Sequence, residues 1–328
     1  MPSHLSVLFQ GIAVGGTVQA VLKTILAPFE RTRLLLQVQA ASPQIPKGKE
    51  YKGIVDCLIR IPREQGFVSF WRGNLAQVIA AFSFQTLVFA CNGAYNQVFL
   101  VGFNGDTQSS RYVAGSLAVG GATGATVLCL VYPLNLVVTR LAADVGSAST
   151  REFTGFRNCI ASITLSDGVG GLYRGFLTAV QGIVVYRAVY FGFLNGLNAM
   201  LPEPEKTSVF VNWLIAETVV VLSGLMSYPF DTVCKRMMMQ SGRTGTDLTY
   251  KNSIDCWKKI YESEGIRGFY KGALISILVG TSGALLLVAS NQLSQAWTVE
   301  VDIYFVAKKV LVTVLTRIWS HSGPGNTL

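Results

Sequence analysis

Histidine is nearly missing from this chain: there are two in 328 residues, His4 and His321, each close to an end. Charge is scarce too, with Asp, Glu, Lys and Arg together making up 14%. No nucleophile–base set and no metal-ligand cluster can be assembled from what remains, which makes an enzyme the least favoured class. The six cysteines, Cys57, Cys91, Cys129, Cys159, Cys234 and Cys256, contain no CxxC pair. In so long and apolar a chain they read as reduced thiols rather than a disulfide scaffold. The opening stretch MPSHLSVLFQ has neither the charged start of a signal peptide nor the Arg-rich pattern of a transit peptide. Any organelle targeting is therefore expected to be internal.

What is abundant is apolar surface. Half of the residues are hydrophobic and the mean hydropathy is +0.42, a composition that fits a multispanning membrane protein better than a soluble domain. The net charge of +9 points to anionic partners, either lipid headgroups or an anionic solute. No nucleic acid is expected.

The chain repeats itself. APFERTR (27–33), YPLNLVVTR (132–140) and YPFDTVCKR (228–236) recur about every hundred residues, each at the foot of an apolar stretch. A second landmark follows each: EQGFVSFWRG (64–73), SDGVGGLYRG (166–175) and SEGIRGFYKG (263–272). Between the two landmarks stands an Asp/Asn-Cys pair: Asp56-Cys57, Asn158-Cys159 and Asp255-Cys256. Each unit reads as a long helix, a short amphipathic helix and a second long helix. The expected fold is an all-α membrane protein of six transmembrane helices in three pseudo-threefold repeats. The repeats span 1–105, 106–205 and 206–296, and an unmatched tail occupies 297–328. The leading spans cover roughly 6–38, 111–143 and 208–240, the return spans roughly 74–99, 176–200 and 273–295. Each exceeds the ~20 residues a bilayer requires. The leading spans contain Pro28, Pro133 and Pro229, where kinks are expected.

These features together resemble the mitochondrial carrier family. Its motif, Pro-x-(Asp/Glu)-x-x-(Lys/Arg), occurs three times, each copy followed by an aromatic-basic-Gly element. The stretches LLLQVQA, YKGIVDCLIRIPREQGFVSFWRGNLA, SDGVGGLYRGF and VQGIVVYRAVYFG look like the ADP/ATP carrier branch, and Cys234-Lys235-Arg236-Met237-Met238-Met239 looks like its Arg-Arg-Arg-Met-Met-Met hallmark. The resemblance covers about residues 6–296. It implies a bundle around a central cavity, alternating access and exchange of ADP for ATP across the mitochondrial inner membrane. It also implies a monomer that needs no cofactor but carries tightly bound cardiolipin.

Symmetry locates candidate residues, because a nucleotide has no threefold axis. Five residues before each motif proline stand Lys23, Leu128 and Gly224, of which only the first is charged. Beyond the glycine closing each second landmark, position seven reads Ala80, Gly182 and Val279; eleven reads Phe84, Tyr186 and Gly283; twelve reads Gln85, Arg187 and Ala284. Lys23 and Arg187 suit phosphates. Gly182 and Ile183 offer a close apolar surface, and Tyr186 can stack on adenine. The resemblance adds Ser227. At the matrix-side gate, Glu30, Arg33 and Asp231 are the motif charges expected to pair between repeats, with Asp231–Arg33 as the surviving pair. Gly53, Gly155, Arg72-Gly73, Arg174-Gly175 and Lys271-Gly272 open helices, where free backbone N–H groups suit an anion, which the resemblance implies is cardiolipin phosphate; alternatively the glycines only turn the chain. Three adjacent methionines cannot share one helix face, so a core role for all three is not expected.

Departures from the pattern are central. Asn135, Val138 and Cys234 replace one gate acid and two gate bases. The opposite gate reads Gly93/Asn96, Asn195/Asn198 and Asn291/Ser294, with no charged pair, and two cavity arginines of the subfamily are Ala80 and Val279. The competing readings are a carrier with weak or no nucleotide exchange, acting as an ion leak or an assembly partner, and a carrier of a less charged solute. Residues 300–319 form either an interfacial helix or part of a non-native extension.

Overall fold

The structure, a computed structural model, describes residues 4–46, 48–99, 110–146, 150–200, 209–243 and 248–281. The expectations for Gly283, Ala284, Asn291, Ser294 and the 297–328 tail fall outside the described residues. The leading helices are α1 (His4–Val38), α4 (Ser110–Ala143) and α7 (Val209–Met238); the return helices are α3 (Asn74–Phe99), α6 (Phe176–Met200) and α10 (273–281). Between them lie the short helices α2 (Ile54–Gln65), α5 (Phe156–Gly171), α8 (Ser253–Glu264) and α9 (Ile266–Phe269). No strand occurs among the described residues. Among the described residues, three stretches are long and apolar enough to cross a membrane by length and composition: Phe67–Phe99, Ala118–Ala143 and Trp213–Met238.

Each leading helix runs through its proline. Proline lacks an N–H, so the carbonyl four residues earlier loses its intrahelical donor. In the first two repeats the aromatic of the second landmark replaces that donor. Trp71 Nε1 donates to Thr24 O (2.9 Å) and Tyr173 Oη to Cys129 O (3.1 Å). The tyrosine before the proline returns the bond, with Tyr132 Oη donating to Arg174 O (2.7 Å) and Tyr228 Oη to Lys271 O (3.0 Å). The rings stack in both repeats, Tyr132 on Tyr173 and Tyr228 on Tyr270. The two landmarks of a repeat are thus two halves of one lock.

The Asp/Asn-Cys pairs start the short helices. Asp56, Asn158 and Asp255 accept the backbone N–H groups of Lys52, Thr154 and Lys251, filling donors that a helix start leaves open. The neighbouring cysteines are fully buried. Burial pushes the thiols of Cys57, Cys159 and Cys256 up to about 12, as expected of packing residues rather than reactive ones. In the third repeat Asn252 stands where Gly53 and Gly155 stand in the others. The backbone there is extended in all three, so asparagine fits, and its side chain caps Asp255 N.

The bundle narrows toward the C-terminal ends of the leading helices. Leu35, Leu136 and Val233 are fully buried there, whereas Val21 and Leu214, farther from that end, are exposed. Close approach at the narrow end depends on the glycines closing the second landmarks. Gly73, Gly175 and Gly272 have φ of 78°, 84° and 85°, a region other residues avoid. A Cβ on Gly272 would lie 2.9 Å from Arg33 O, and one on Gly175 would lie 3.0 Å from Cys234 O. Each of these glycines packs on the leading helix of the next repeat.

Candidate functional site

A cavity of about 700 Å³ opens between α1, α3, α4, α6, α7 and α10 above the narrow end. The symmetry-derived positions line it: Lys23, Leu128 and Gly224 from the leading helices, with Ala80, Phe84, Gln85, Gly182 and Tyr186 from the return helices. Ile183 and Ser227 also line it. Two positions depart from the expectation. Arg187 is exposed and is not part of the lining. Val279 is not part of it either, and packs instead against the buried cluster that holds Leu36, Phe70 and Ile275. Gly182 is glycine for packing as well as for surface, since a Cβ there would come within 3.0 Å of Phe230 Cβ. Tyr186 stacks on Tyr190 one turn along, with ring centroids 6.1 Å apart.

The gate charges are arranged differently from the expected pairing between repeats. Asp231 does not bridge Arg33. It pairs with Lys235 in its own helix (2.7 Å) and accepts from Gln37 Nε2 (3.0 Å), while Arg33 Nη1 donates to Ser276 Oγ (3.0 Å). An i,i+4 lysine is simply nearer than a base in the neighbouring repeat. Glu30, left without a base by Val138, pairs with Lys23 two turns earlier (2.7 Å) and accepts from Gln77 of α3. Cys234 at the third base position is buried, and its Sγ lies 3.4 Å from Tyr132 Oη.

Sequence reasoning missed Gln37. It is fully buried and joins Asp231, Thr232 Oγ1 (2.9 Å) and Lys235 Nζ (3.0 Å) in one network. The two amides within the otherwise apolar run LLLQVQA were the available signal, because a buried amide must find partners.

The methionines correct another expectation: Met237, Met238 and Met239 are all buried. Met237 and Met239 belong to one core cluster and Met238 to another. The end of α7 is packed on two sides, so the three residues need not share a face.

Closure of the narrow end rests on three arginines, each 2% exposed or less. Arg31 donates to Ala142 O (3.0 Å) and Asp144 O (2.8 Å) of the second repeat. Arg140 donates to Met239 O of the third, and Arg236 to Gln37 O of the first (3.0 Å). The ring closes on itself, and each guanidinium satisfies carbonyls that helix ends leave open. Arg140 is balanced by Glu152, and Arg236 by Glu264. Burial works against the charge of Glu264, but hydrogen bonds from Arg236 and then Lys271 outweigh it and hold the carboxyl below its usual range.

The basic residues of the second landmarks face protein. Arg72 donates to Gly146 O (2.8 Å), Arg174 to Gln240 O (2.9 Å), and Lys271 pairs with Glu264 (2.6 Å). What these elements leave for an external anion is backbone N–H groups at Gly73, Gly175 and Gly272, and at Gly53 and Gly155.

A family profile described as mitochondrial carrier protein matches residues 6–102, 109–205 and 205–300. ADP/ATP translocase 3 of Sus scrofa is 56% identical over 282 residues, 86% of this chain and 95% of that protein. ADP/ATP translocase 3 of Homo sapiens is 55% identical and ADP/ATP translocase 2 of Bos taurus 54% identical over the same coverage. With three matched repeats and a pseudo-threefold helical bundle around one cavity, the chain belongs to the mitochondrial carrier family.

Proposed function

We propose that this multi-pass carrier exchanges ADP for ATP across the mitochondrial inner membrane by alternating access. One observation carries the reading: the likeness to proteins named ADP/ATP translocases extends over 95% of their length at up to 56% identity. The cavity supports it in size, falling within the roughly 300–1,000 Å³ of small-molecule sites. It also supports it in chemistry, with Lys23 for phosphate, Gly182, Ile183 and Tyr186 as an apolar and aromatic wall for a base, and Ser227 as a hydroxyl nearby. Arg187 would have to turn inward to reach a bound phosphate. Cardiolipin phosphates at the helix starts behind Gly53, Gly73, Gly155, Gly175 and Gly272, and a monomeric working unit, complete the proposal.

A second reading, a carrier with weakened exchange, is favoured by Ala80, which lines the cavity without charge, and by Val279, which is committed to an apolar cluster. Exchange in cardiolipin-containing liposomes separates the two. Uptake of labelled ADP that depends on internal ATP supports exchange. Uptake that ignores internal ATP supports a leak, and no uptake by folded protein overturns the proposal.

A further inference from the structure

Lys23 stands in two places at once. It lines the cavity, and its ammonium is 2.7 Å from the carboxylate of Glu30. Glu30 is absent from that lining and instead borders a second, smaller space of about 70 Å³ together with Val138 and Gln77. Among the described residues Lys23 is the cation within ion-pair distance of Glu30. The side chain of Lys23 is 32% exposed and that of Glu30 is 11% exposed. The lysine can therefore be approached from the cavity, whereas the carboxylate sits between α1 and α3, where Gln77 also donates to it.

We infer that a phosphate-bearing substrate competes with Glu30 for Lys23, making Glu30 a positioning residue that ties cavity occupancy to the narrow end. In the empty carrier Glu30 holds Lys23 against the wall of α1. A phosphate is a second anion for the same ammonium. When it takes Lys23, Glu30 keeps Gln77 but loses its ion-pair partner; Arg31, Arg33, Arg72 and Lys235 border the same small space without pairing with it, and weakening the pairing of a partly buried carboxylate is costly. That cost falls at the seam of α1 with α3, two turns below the substrate and level with the arginine ring. Arrival of the anion thus loosens the end that must open. Val138 makes this possible, because it leaves Glu30 with no base from α4 and so dependent on the substrate's own ligand. The inference rests on the proposed anionic substrate.

Two substitutions act on the competition from opposite sides. Glu30→Gln removes the competing charge. Val138→Lys keeps it but supplies a cation at a residue that borders both the small space and the cavity, so Glu30→Gln is the deciding variant. Both should strengthen binding of ADP and of pyrophosphate about tenfold, read as the concentration giving half of the thermal stabilisation of purified carrier. Lys23→Gln should abolish most of that stabilisation. If Glu30→Gln changes the half-point for neither probe, the competition is overturned even where Lys23→Gln remains defective. If pyrophosphate behaves as described but ADP stabilises no variant, the competition stands and the nucleotide reading falls.

Discussion

At the narrow end three arginines lie buried, each donating to a carbonyl of the next repeat, whereas near the far end of α3 the matching positions are Gly93 and Asn96, and Asn96 bonds to Asn92 one turn back. The narrow end is closed by charged, directional contacts that leave a buried guanidinium exposed to loss if one is broken. Among the described residues, the far end of α3 offers the small or neutral groups of Gly93 and Asn96 to any closure there. Closure at the two ends is therefore under separate chemical control, and the charge ring favours the state with the narrow end shut. The hydrogen-bonded ring needs no acid–base pair between repeats. That explains how the chain can lack Asp at 135 and bases at 138 and 234 without losing the contact.

The largest break in this comparison should come from Arg236→Ala. It frees Gln37 O, leaves Glu264 with Lys271 alone, and should lower stability by about 3–5 kcal/mol, as removal of one partner of a buried pair does; thermal unfolding in detergent reads it. Next in size is a gain. Ala80→Arg places a guanidinium in the cavity, where a charge-assisted bond is worth about 1.5–3 kcal/mol, so nucleotide binding should tighten at least tenfold in a titration. Val279→Arg should yield less, because Val279 is packed in a cluster outside the cavity lining. Gly272→Ala forces a left-handed backbone on a residue with a Cβ, 2.9 Å from Arg33 O. About 1–3 kcal/mol should be lost, with the melting transition as the readout. The smallest effect is pH dependence. Glu264 is held below its unfolded value of ~4.3, so its contribution is complete above that pH and disappears as pH falls through the lower folded value. Glu264→Gln should flatten the acid limb of the stability profile while lowering stability near neutral pH.

The helices and the cavity wall were legible in sequence because both follow from repetition. The return helices begin and end at 74–99 and 176–200 as expected, and counting from each proline and each closing glycine reached Lys23, Leu128, Gly224, Gly182 and Tyr186. The partners of charged groups were not legible. Motif spacing placed Asp231 opposite Arg33, but the actual neighbour was set by side-chain reach, and Lys235 lies one turn away in the same helix. The Lys23–Glu30 pair was hidden for a related reason: two turns is beyond the usual helix pairing, and it forms because Val138 removes the alternative. The three methionines were misjudged because helix periodicity describes one exposed face, and the end of α7 has none. The landmark aromatics were recognised as a motif before their task was visible, namely to replace the donor that Pro28 and Pro133 remove.

The claim on which the rest depends is that Lys23 is the phosphate ligand of a nucleotide exchanger. Labelled ADP uptake into cardiolipin-containing liposomes, measured side by side for the unaltered chain and Lys23→Gln with and without internal ATP, tests it. The account predicts uptake that requires internal ATP and falls at least tenfold in the variant. Equal uptake by the two proteins, or uptake indifferent to internal ATP, would contradict it.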